Sequence, residues 1–379
     1  MAYFCRFADL LTDQDILEMS IPLSLDRRII VPGAFSTQFD IPNDDIGAKA
    51  AKIIPGRTIC HVYRGPMIIG SYIIWAKKYA SSSSALSLSL QGATIESYLY
   101  RRRLQADVIY TSTDQLTIAD DLIIRAQLGM GSEYPDSGDL SLSTAAFSTG
   151  IYRDRTYLES DGSSIGDLLE DLANVDAGFE YAIQTYQSDT TRPRVMSYGY
   201  DKFRPTDNPI VLEEPGGITA WEILYDATKG GTVFWTRGQT STSTAGEATQ
   251  PTLSDPSVAT EYLDSGWPIL EMISDYQNAS DVDTLNKYAA WWRTNRSGPI
   301  MIPSFTVNAE TLFKQGFSPF SLGATMRVIL ANPAFPLVNG SPSFSGEVRI
   351  IGFELTVDMD GKEDMKIIAE TEFDPTEVA

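Results

Sequence analysis

The chain has 379 residues, 43% of them hydrophobic and 11% aromatic, so it is long enough for two or three folded domains and too apolar for a disordered protein. Its 29 basic and 50 acidic residues give a net charge of −21, which argues against a nucleic-acid reader because such a surface repels a polyanion. The sequence contains no run of about 18 uncharged apolar residues, so we expect no membrane-spanning helix and no stable membrane insertion.

The N-terminus lacks the charged and then apolar layout of a signal peptide, so we expect synthesis in a cytoplasm without export by a cleaved signal. Cys5 and Cys60 are too few for a disulfide framework and are expected to be small buried side chains. The acidic charge has two possible uses. It keeps the protein soluble, or it lines a wall past which nucleic acid slides without binding.

Residues 1–105 are predicted to form a first β-domain. Its elements are, in chain order, strands at 29–31 and 36–41 around Pro32-Gly33, a short helix capped by Asn43 and ended by Pro55-Gly56, a hairpin of strands 58–63 and 67–79, a strand at 85–90, and a helix at 94–103. The strand at 85–90 is the clearest of these, because leucine and serine alternate with the period of a half-buried strand.

Residues 106–215 are predicted to form an α+β segment. Apolar residues from Leu116 to Ala126 mark one helix that starts at Thr113-Asp114, and those from Ile165 to Val175 mark a second, capped by Ser163 or Ser164. Between them, residues 129–163 are rich in Gly, Ser and Asp and are predicted to be an exposed loop. A strand is expected at 179–185.

Residues 216–379 are predicted to form a second β-domain with one helix. The expected elements are strands 219–225 and 232–236 joined by a turn at 229–231, a loop at 239–254, a helix at 281–296 capped by Ser280, and strands at 300–307, 325–330, 347–357 and 365–373. The fold class is therefore α+β and mainly β, with two β-modules on either side of a helical segment.

No residue is predicted to be catalytic, to bind a cofactor or to ligate a metal. The only histidine, His61, follows Cys60 in a predicted strand, so the two side chains point to opposite faces. A serine–histidine–aspartate triad would have to use His61. Two cysteines and one histidine are also too few ligands for a zinc site at any familiar spacing, so we expect no enzyme.

Two features are candidate subunit-interface residues. Arg101, Arg102 and Arg103 form a basic cluster in an acidic protein, either a solvated helix end or a socket for an acidic face of a neighbouring subunit. Trp291 lies about 100° around the helix from Trp292, which belongs to the core stripe. Trp291 is thus either part of an amphipathic cover for the barrel or an interface anchor.

Several segments together resemble the hub proteins at the tail tip of long-tailed bacteriophages. They are Leu86 to Gly92, Tyr98 to Leu104, Ile165 to Ala173 with Gly178 to Tyr181, the helix 281–296, Phe320 to Val328, and Val348 to Leu355. The resemblance spans residues 20–373, and it consists of packing patterns rather than catalytic motifs. The chain has Gly323-Ala324 where many relatives have Gly-Asp before the strand.

The resemblance implies a homotrimer in the virion, assembled in the host cytoplasm. Each subunit would contribute two tail-tube-like β-barrels, at residues 1–105 and 216–379, to a pseudo-sixfold ring, with strands possibly exchanged across these bounds. The ring would join the distal tail protein to the tip or fibre proteins, and the tape measure protein and DNA would pass through it without specific binding. It implies no cofactor. Some hubs carry a C-terminal peptidase or lysozyme extension, and none is expected here.

Two alternatives stay open at the level of sequence. A tail-tip protein that binds or cleaves glycans would use exposed aromatic side chains such as Trp221, Trp235 or Trp267. A cytosolic enzyme would need a cleft with converging carboxylates, which no segment of the sequence indicates.

Overall fold

The computed structural model describes residues 3–371 except 83–84, 176, 204–209, 229, 241–249, 277–278, 280, 299, 319–320, 339–340 and 343. The chain forms two compact units. The first contains the residues up to Trp221 and from Ser304 onward, and the second contains Glu222–Pro303. These bounds differ from those of the three segments predicted from the sequence. The predicted division refers to barrels in an assembled ring, and it stays a prediction.

The first unit begins with seven strands and one helix. In chain order they are β1 (Tyr3–Asp9), β2 (Asp15–Met19), β3 (Leu23–Arg28), β4 (Ala34–Asp40), α1 (Asp44–Ala51), β5 (Thr58–Arg64), β6 (Met67–Ser81) and β7 (Leu86–Thr94). Asn43 caps α1 as predicted, because its side chain accepts a hydrogen bond from the Ile46 N–H. The predicted hairpin is formed by β5 and β6, and the alternating leucines lie in β7.

The strand predicted at residues 29–31 is wrong. The strand ends at Arg28 instead, since Ile30 has a φ of 69° and its N–H donates to the carbonyl of Tyr181 outside the sheet ladder. The chain then returns through Gly33, where a Cβ atom would lie 2.1 Å from the carbonyl oxygen of Asp26. Only glycine fits this close backbone approach.

A central α+β segment follows within the same unit. Its elements are α2 (Glu96–Leu99), β8 (Val108–Asp114), α3 (Gln115–Ala126), β9 (Leu142–Thr144), β10 (Tyr152–Tyr157), a 3₁₀ turn (Glu159–Asp161), α4 (Ile165–Ala173), β11 (Glu180–Thr185) and β12 (Arg194–Gly199). Asp114 caps α3, and Ser164, one of the two candidates, caps α4 in a reciprocal capping box with Asp167.

Two predictions for this segment need correction. The helix expected at residues 94–103 is only one turn long. It spans Glu96–Leu99, and Thr94 belongs to β7. The loop expected at 129–163 contains β9 and β10. β10 pairs with β8 although its sequence, Tyr-Arg-Asp-Arg-Thr-Tyr, lacks the apolar alternation that marks a half-buried strand.

The chain then leads into the second unit. The elements are β13 (Ile210–Glu214), β14 (Ile218–Asp226), β15 (Val233–Thr240), β16 (Pro251–Leu253), β17 (Ser257–Val258), α5 (Thr260–Asp264), β18 (Glu271–Asp275) and α6 (Val282–Arg296). The predicted hairpin of 219–225 with 232–236 is wrong, since β14 and β15 belong to different sheets. Asp281 caps α6, while the predicted cap Ser280, the turn residue Lys229 and most of the loop 239–254 lie outside the described residues.

The last elements return to the first unit. They are β19 (Ile300–Val307), α7 (Ala309–Lys314), β20 (Thr325–Leu330), β21 (Leu337–Val338), β22 (Ser341–Pro342), β23 (Phe344–Val357) and β24 (Glu363–Thr371). All four strands predicted in this region are confirmed, with β23 and β24 starting two or three residues earlier than expected.

Within the described residues, one sheet of 13 strands dominates the first unit. Eleven strands follow the order β14-β19-β24-β23-β3-β4-β7-β6-β5-β1-β2, and β20 and β13 extend from β23. The antiparallel pair of β3 and β23 joins the two ends of the chain. The α+β, mainly β class is confirmed, and no sheet of the described residues closes into a barrel by itself.

Buried arginines tie the central segment to this sheet. The guanidinium of Arg349 in β23 donates to both carboxylate oxygens of Glu180, at 2.6 and 2.8 Å, and to Glu370 at 2.7 Å. Its side chain is only 3% exposed. Arg27 in β3 lies 3.8 Å from the buried carboxylate of Glu96, which also accepts the N–H of Ile183 in β11.

We expect Arg349→Met to destabilise the fold by about 3–5 kcal/mol, because it leaves the Glu180 carboxylate buried without its cation. The free energy of unfolding in urea measures this loss. Arg327→Met on the neighbouring β20 is the matched control, since Arg327 is exposed, and it should change stability by about 0.5 kcal/mol or less. Equal losses for the two variants would contradict the ion pair's role.

Candidate functional site

One face of the large sheet is polar over seven adjacent strands. The direct cross-strand partners place its members on one side. This polar sheet face consists of Thr306 in β19, Asp364 and Lys366 in β24, Glu354 and Thr356 in β23, Ser24, Asp26 and Arg28 in β3, Ser36, Gln38 and Asp40 in β4, Ser87, Ser89 and Gln91 in β7, and Ala76, Lys78 and Ala80 in β6.

The alternation of side chains along the strands creates this face. Leu25, Phe35, Leu90 and Phe353 alternate with its members and are at most 2% exposed on the opposite side, where they form the core. A one-residue slip in any strand would expose these apolar side chains, so burial of one face fixes the composition of the other.

The polar sheet face is not strongly acidic. It carries the carboxylates of Asp26, Asp40, Glu354 and Asp364 and three cations, Arg28, Lys78 and Lys366. The Arg28 guanidinium pairs with Asp26 at 3.1 Å and with Glu354 at 3.3 Å. The net charge of −21 therefore lies mostly elsewhere, and hydroxyl and amide groups dominate this surface.

The last strand of this face, β6, is paired on one side only over its second half. β6 runs to Ser81, but β5 pairs with it only as far as Ile73. From Ala76 to Ser81, its far side meets no strand among the described residues. This free edge bears Lys78, a residue type that limits indiscriminate strand addition. The terminal strands of the whole sheet are β14 and β2.

The three arginines of the predicted interface cluster differ in their contacts. Arg102 donates from Nε to the carbonyl of Ala126 at 2.7 Å and from Nη2 to that of Leu128, so it satisfies the C-terminal carbonyls of α3. Arg101 is exposed and its guanidinium stacks on the Trp75 ring, 5.4 Å from the centroid. Arg103 is exposed as well. Their role as interface residues stays a prediction.

Trp291 belongs to the second unit and is half-buried. Its ring meets that of Trp292 edge-on at 5.1 Å, and Trp292 donates to the Tyr276 hydroxyl at 2.8 Å. Leu285 and Ala289 form the buried stripe of α6, which agrees with the predicted helical face. The structure places Trp291 against Trp292, and the role of Trp291 as an interface anchor stays a prediction.

The aromatic residues proposed for glycan binding are half-buried and bound within the chain. Trp221 donates to Glu214 at 2.7 Å, Trp235 donates to Glu271 at 3.2 Å, and Trp267 packs edge-on against Tyr262. Each of the three indoles therefore has a partner within the chain.

His61 is the centre of a buried polar network. Its Nδ1 lies 2.8 Å from Ser71 Oγ and its Nε2 lies 3.1 Å from Asp13 Oδ1. Arg192 donates to the other oxygen of Asp13 at 2.7 Å, and Arg194 donates to Leu10 and Leu140 carbonyls. The network joins the β1–β2 turn to β12.

The hydrogen-bonded side chains of Ser71, His61 and Asp13 are of the residue types found in a hydrolase triad, but the serine and the histidine are buried. Ser71 is 4% exposed and His61 is fully buried, so no substrate carbonyl can reach the hydroxyl. Arg192 and Arg194 neutralise the carboxylate, which stabilises the fold at that point. Among the described residues, moreover, no group of three His, Cys, Asp or Glu side chains is placed to hold a metal.

The described helices are also too short or too polar for any of them to cross a membrane. Cys5 and Cys60 are both free and buried, as expected from the sequence. Burial and the neighbouring Cys5 raise the pKa of the Cys60 thiol, so it is not a reactive thiolate.

No protein-family model matches this chain, and no curated protein matches its sequence. Solved structures do match over the whole length. A 43 kDa tail protein of prophage MuSo2 from Shewanella oneidensis is 12% identical with a TM-score of 0.62, covering 97% of this chain and 98% of its own. A tail protein from Neisseria meningitidis MC58 is 12% identical with a TM-score of 0.60, covering 98% and 97%.

A prophage tail protein from Listeria monocytogenes EGD-e is also similar, at 9% identity and a TM-score of 0.53, covering 100% of this chain and 97% of its own. The chain therefore has the fold of phage tail proteins. The resemblance to tail-tip hub proteins, which rests on the segments 86–92, 98–104, 165–173, 178–181, 281–296, 320–328 and 348–355, is confirmed at the level of the fold.

The sequence missed the polar sheet face. Its serines and glutamines are spread over seven strands that lie far apart in the chain, and only the pairing register brings them together. The signal that could have found them is the alternation itself, which is visible in Leu86 to Leu90 and again in Ala34 to Asp40.

We expect the imidazole of His61 to titrate near pH 4. Burial lowers its pKa from 6.5 to about 4, and the hydrogen bond to Asp13 opposes this only in part. Although burial favours the neutral acid, contacts with His61 and Arg192 lower the pKa of Asp13 to about 2. Since His61 is the only histidine, one resonance in a proton NMR titration reports it.

The same pKa shift makes stability depend on pH. Above pH 6.5 the imidazole is neutral in both states and the fold has its full stability. As the pH falls from 6.5 to 4, the unfolded chain binds a proton that the folded chain does not, and roughly 3 kcal/mol is lost. His61→Gln should remove this part of the pH dependence, and titration of the native imidazole near 6.5 would contradict the buried network.

Proposed function

We propose that this protein is a non-enzymatic tail hub of a long-tailed phage, a homotrimer that forms a pseudo-sixfold ring at the distal end of the tail tube. The ring joins the distal tail protein to the tip or fibre proteins, and the tape measure protein and DNA pass through its channel. The observation that carries this proposal is the fold shared with phage and prophage tail proteins over nearly the full length of each chain.

The large sheet supports a ring in which barrels close only between copies. Within one chain, β19-β24-β23 of the C-terminal part and β3-β4-β7-β6 of the N-terminal part form a continuous surface with two ends. The sheet continues past these strands to its terminal strands, β14 at one end and β2 at the other. A sheet with two unlike ends continues from copy to copy through heterologous contacts, and such contacts close into a ring when the rotation per copy is 120°.

The polar sheet face is suited to the wall of the channel. The face carries hydroxyl, amide and paired ionic groups, and it presents neither a cluster of unpaired cations nor an apolar surface. DNA that passes over it therefore releases few of its counterions and gains little binding free energy. The acidic wall considered from the sequence is thus replaced by a surface of low net charge. The remaining acidic residues keep the outside of the particle soluble.

A trimer is the first expected result. Light scattering on purified protein should give about three times the 41.7 kDa chain mass, and averaged electron micrographs should show a ring with a central hole. A chain that stays monomeric both alone and with its neighbouring tail proteins would contradict the proposal.

The channel wall gives the second expected result. Ser36→Arg combined with Gln38→Arg places two unpaired cations on the polar sheet face, so DNA should leave assembled particles at least about tenfold more slowly at low salt. Higher salt should restore the rate. Ser36→Asn with Gln38→Asn keeps the positions polar and uncharged and is the control. Unchanged release from the arginine particles would exclude this face from the channel.

A further inference from the structure

We propose that the closed loop between α3 and β9, residues 127–142, is a docking site for a second, basic protein of the tail. Three apolar side chains of this loop, Leu128, Met130 and Tyr134, are 46%, 60% and 56% exposed. The inference rests on the proposed tail function, and it names a partner surface made of residues other than those of the polar sheet face.

One side chain closes the neck of the loop. The Gln127 amide donates from Nε2 to the Leu142 carbonyl at 2.8 Å and accepts from the Leu142 N–H at 2.7 Å, so it pairs with that residue as a neighbouring strand would. A surface loop of this length whose two ends meet is an Ω-loop, and such loops are frequently functional.

Backbone contacts inside the loop fix its conformation. The Met130 N–H donates to the Tyr134 carbonyl at 3.0 Å, and the two residues form an isolated antiparallel bridge. At Gly129, a Cβ atom would lie 2.0 Å from the Tyr134 carbonyl oxygen, so only glycine fits this close approach.

Three side chains from α2 and the residues after it brace the loop from outside. Gln105 donates to the Gly129 carbonyl at 3.1 Å, and the Tyr98 hydroxyl donates to the Gly138 carbonyl at 3.2 Å. Arg102 adds the contact with the loop described above. A loop held in one conformation loses little conformational entropy when a partner binds, which favours affinity.

The exposed side chains of this loop are of the types that protein interfaces use. Met130 and Tyr134 are more than half exposed although the backbone that carries them is fixed, and methionine and aromatic residues are enriched at interfaces. Ile124, one helical turn before Leu128, is 55% exposed and adds to the apolar surface.

Charge identifies the kind of partner. Residues 127–152 contain no lysine or arginine, and the loop carries the exposed carboxylates of Glu133, Asp136 and Asp139. These carboxylates repel a nucleic acid or an anionic lipid surface, and a second copy of this chain has the same net charge of −21. The complement is a different protein with an apolar pocket that has lysine or arginine at its rim.

Photo-cross-linking in assembled tails tests the assignment. The full chain with Met130→p-benzoylphenylalanine is incorporated into tails and irradiated. The product should join this chain to a different tail protein, through a segment that contains lysine or arginine, as identified by mass spectrometry. The same photoreactive residue in place of Tyr152, which is 62% exposed on β10, is the matched control and should not give this product.

Substitutions then test the two parts of the contact. Tyr134→Ala, and Glu133→Lys combined with Asp136→Lys, should each raise the dissociation constant for the cross-linked protein at least about tenfold. Tyr152→Ala makes the same truncation outside the loop and should leave the constant unchanged. All these positions are exposed, so the midpoint of thermal unfolding and the trimer mass from light scattering should not change.

The outcomes separate this proposal from the ring. A normal trimer whose position 130 cross-links to no second protein, only to another copy, or no better than position 152 overturns the docking site and leaves the ring standing. Loss of the trimer in Tyr134→Ala would place the loop between copies and also overturn the docking site. An unsubstituted chain that forms no trimer and enters no tail overturns both proposals.

Discussion

The pairing of β3 with β23 is the interaction on which the rest of this fold depends. Six residues from Leu23 to Arg28 lie antiparallel to Gly352 through Val357, so the two ends of the chain share one sheet. Closing a loop of more than 300 residues has an entropic cost, but this cost grows only with the logarithm of loop length. The ladder and the burial of Leu25, Phe353 and Leu355 offset it.

Two buried arginines hold the central segment against these two strands. Arg349 in β23 and Arg27 in β3 both reach into the central segment, where Glu180 and Glu96 receive them. A buried ion pair contributes little net stability, yet loss of one partner is costly because the other charge remains desolvated. These pairs therefore select one placement of the central segment relative to the sheet.

Much of the local structure could be predicted from the sequence, and most of the long-range structure could not. The caps Asn43, Asp114 and Ser164, the alternating strand β7 and the last four strands follow from neighbouring residues, where propensity and period act. Strands β1, β2, β12 and β13 gave no comparable signal, and β10 is polar on both sides. The pairing of β14 away from β15 depends on partners 80 residues distant, which no local pattern specifies.

The same distinction applies to the candidate site. The sequence singled out Arg101 as a cation in an acidic chain, which is a property of composition, but its contact with Trp75, 26 residues earlier, depends on the folded chain. A sheet that is apolar on one face, polar on the other and open at an edge is incomplete as a single chain, since unpaired backbone groups favour strand addition. Lys78 on that edge limits indiscriminate strand addition.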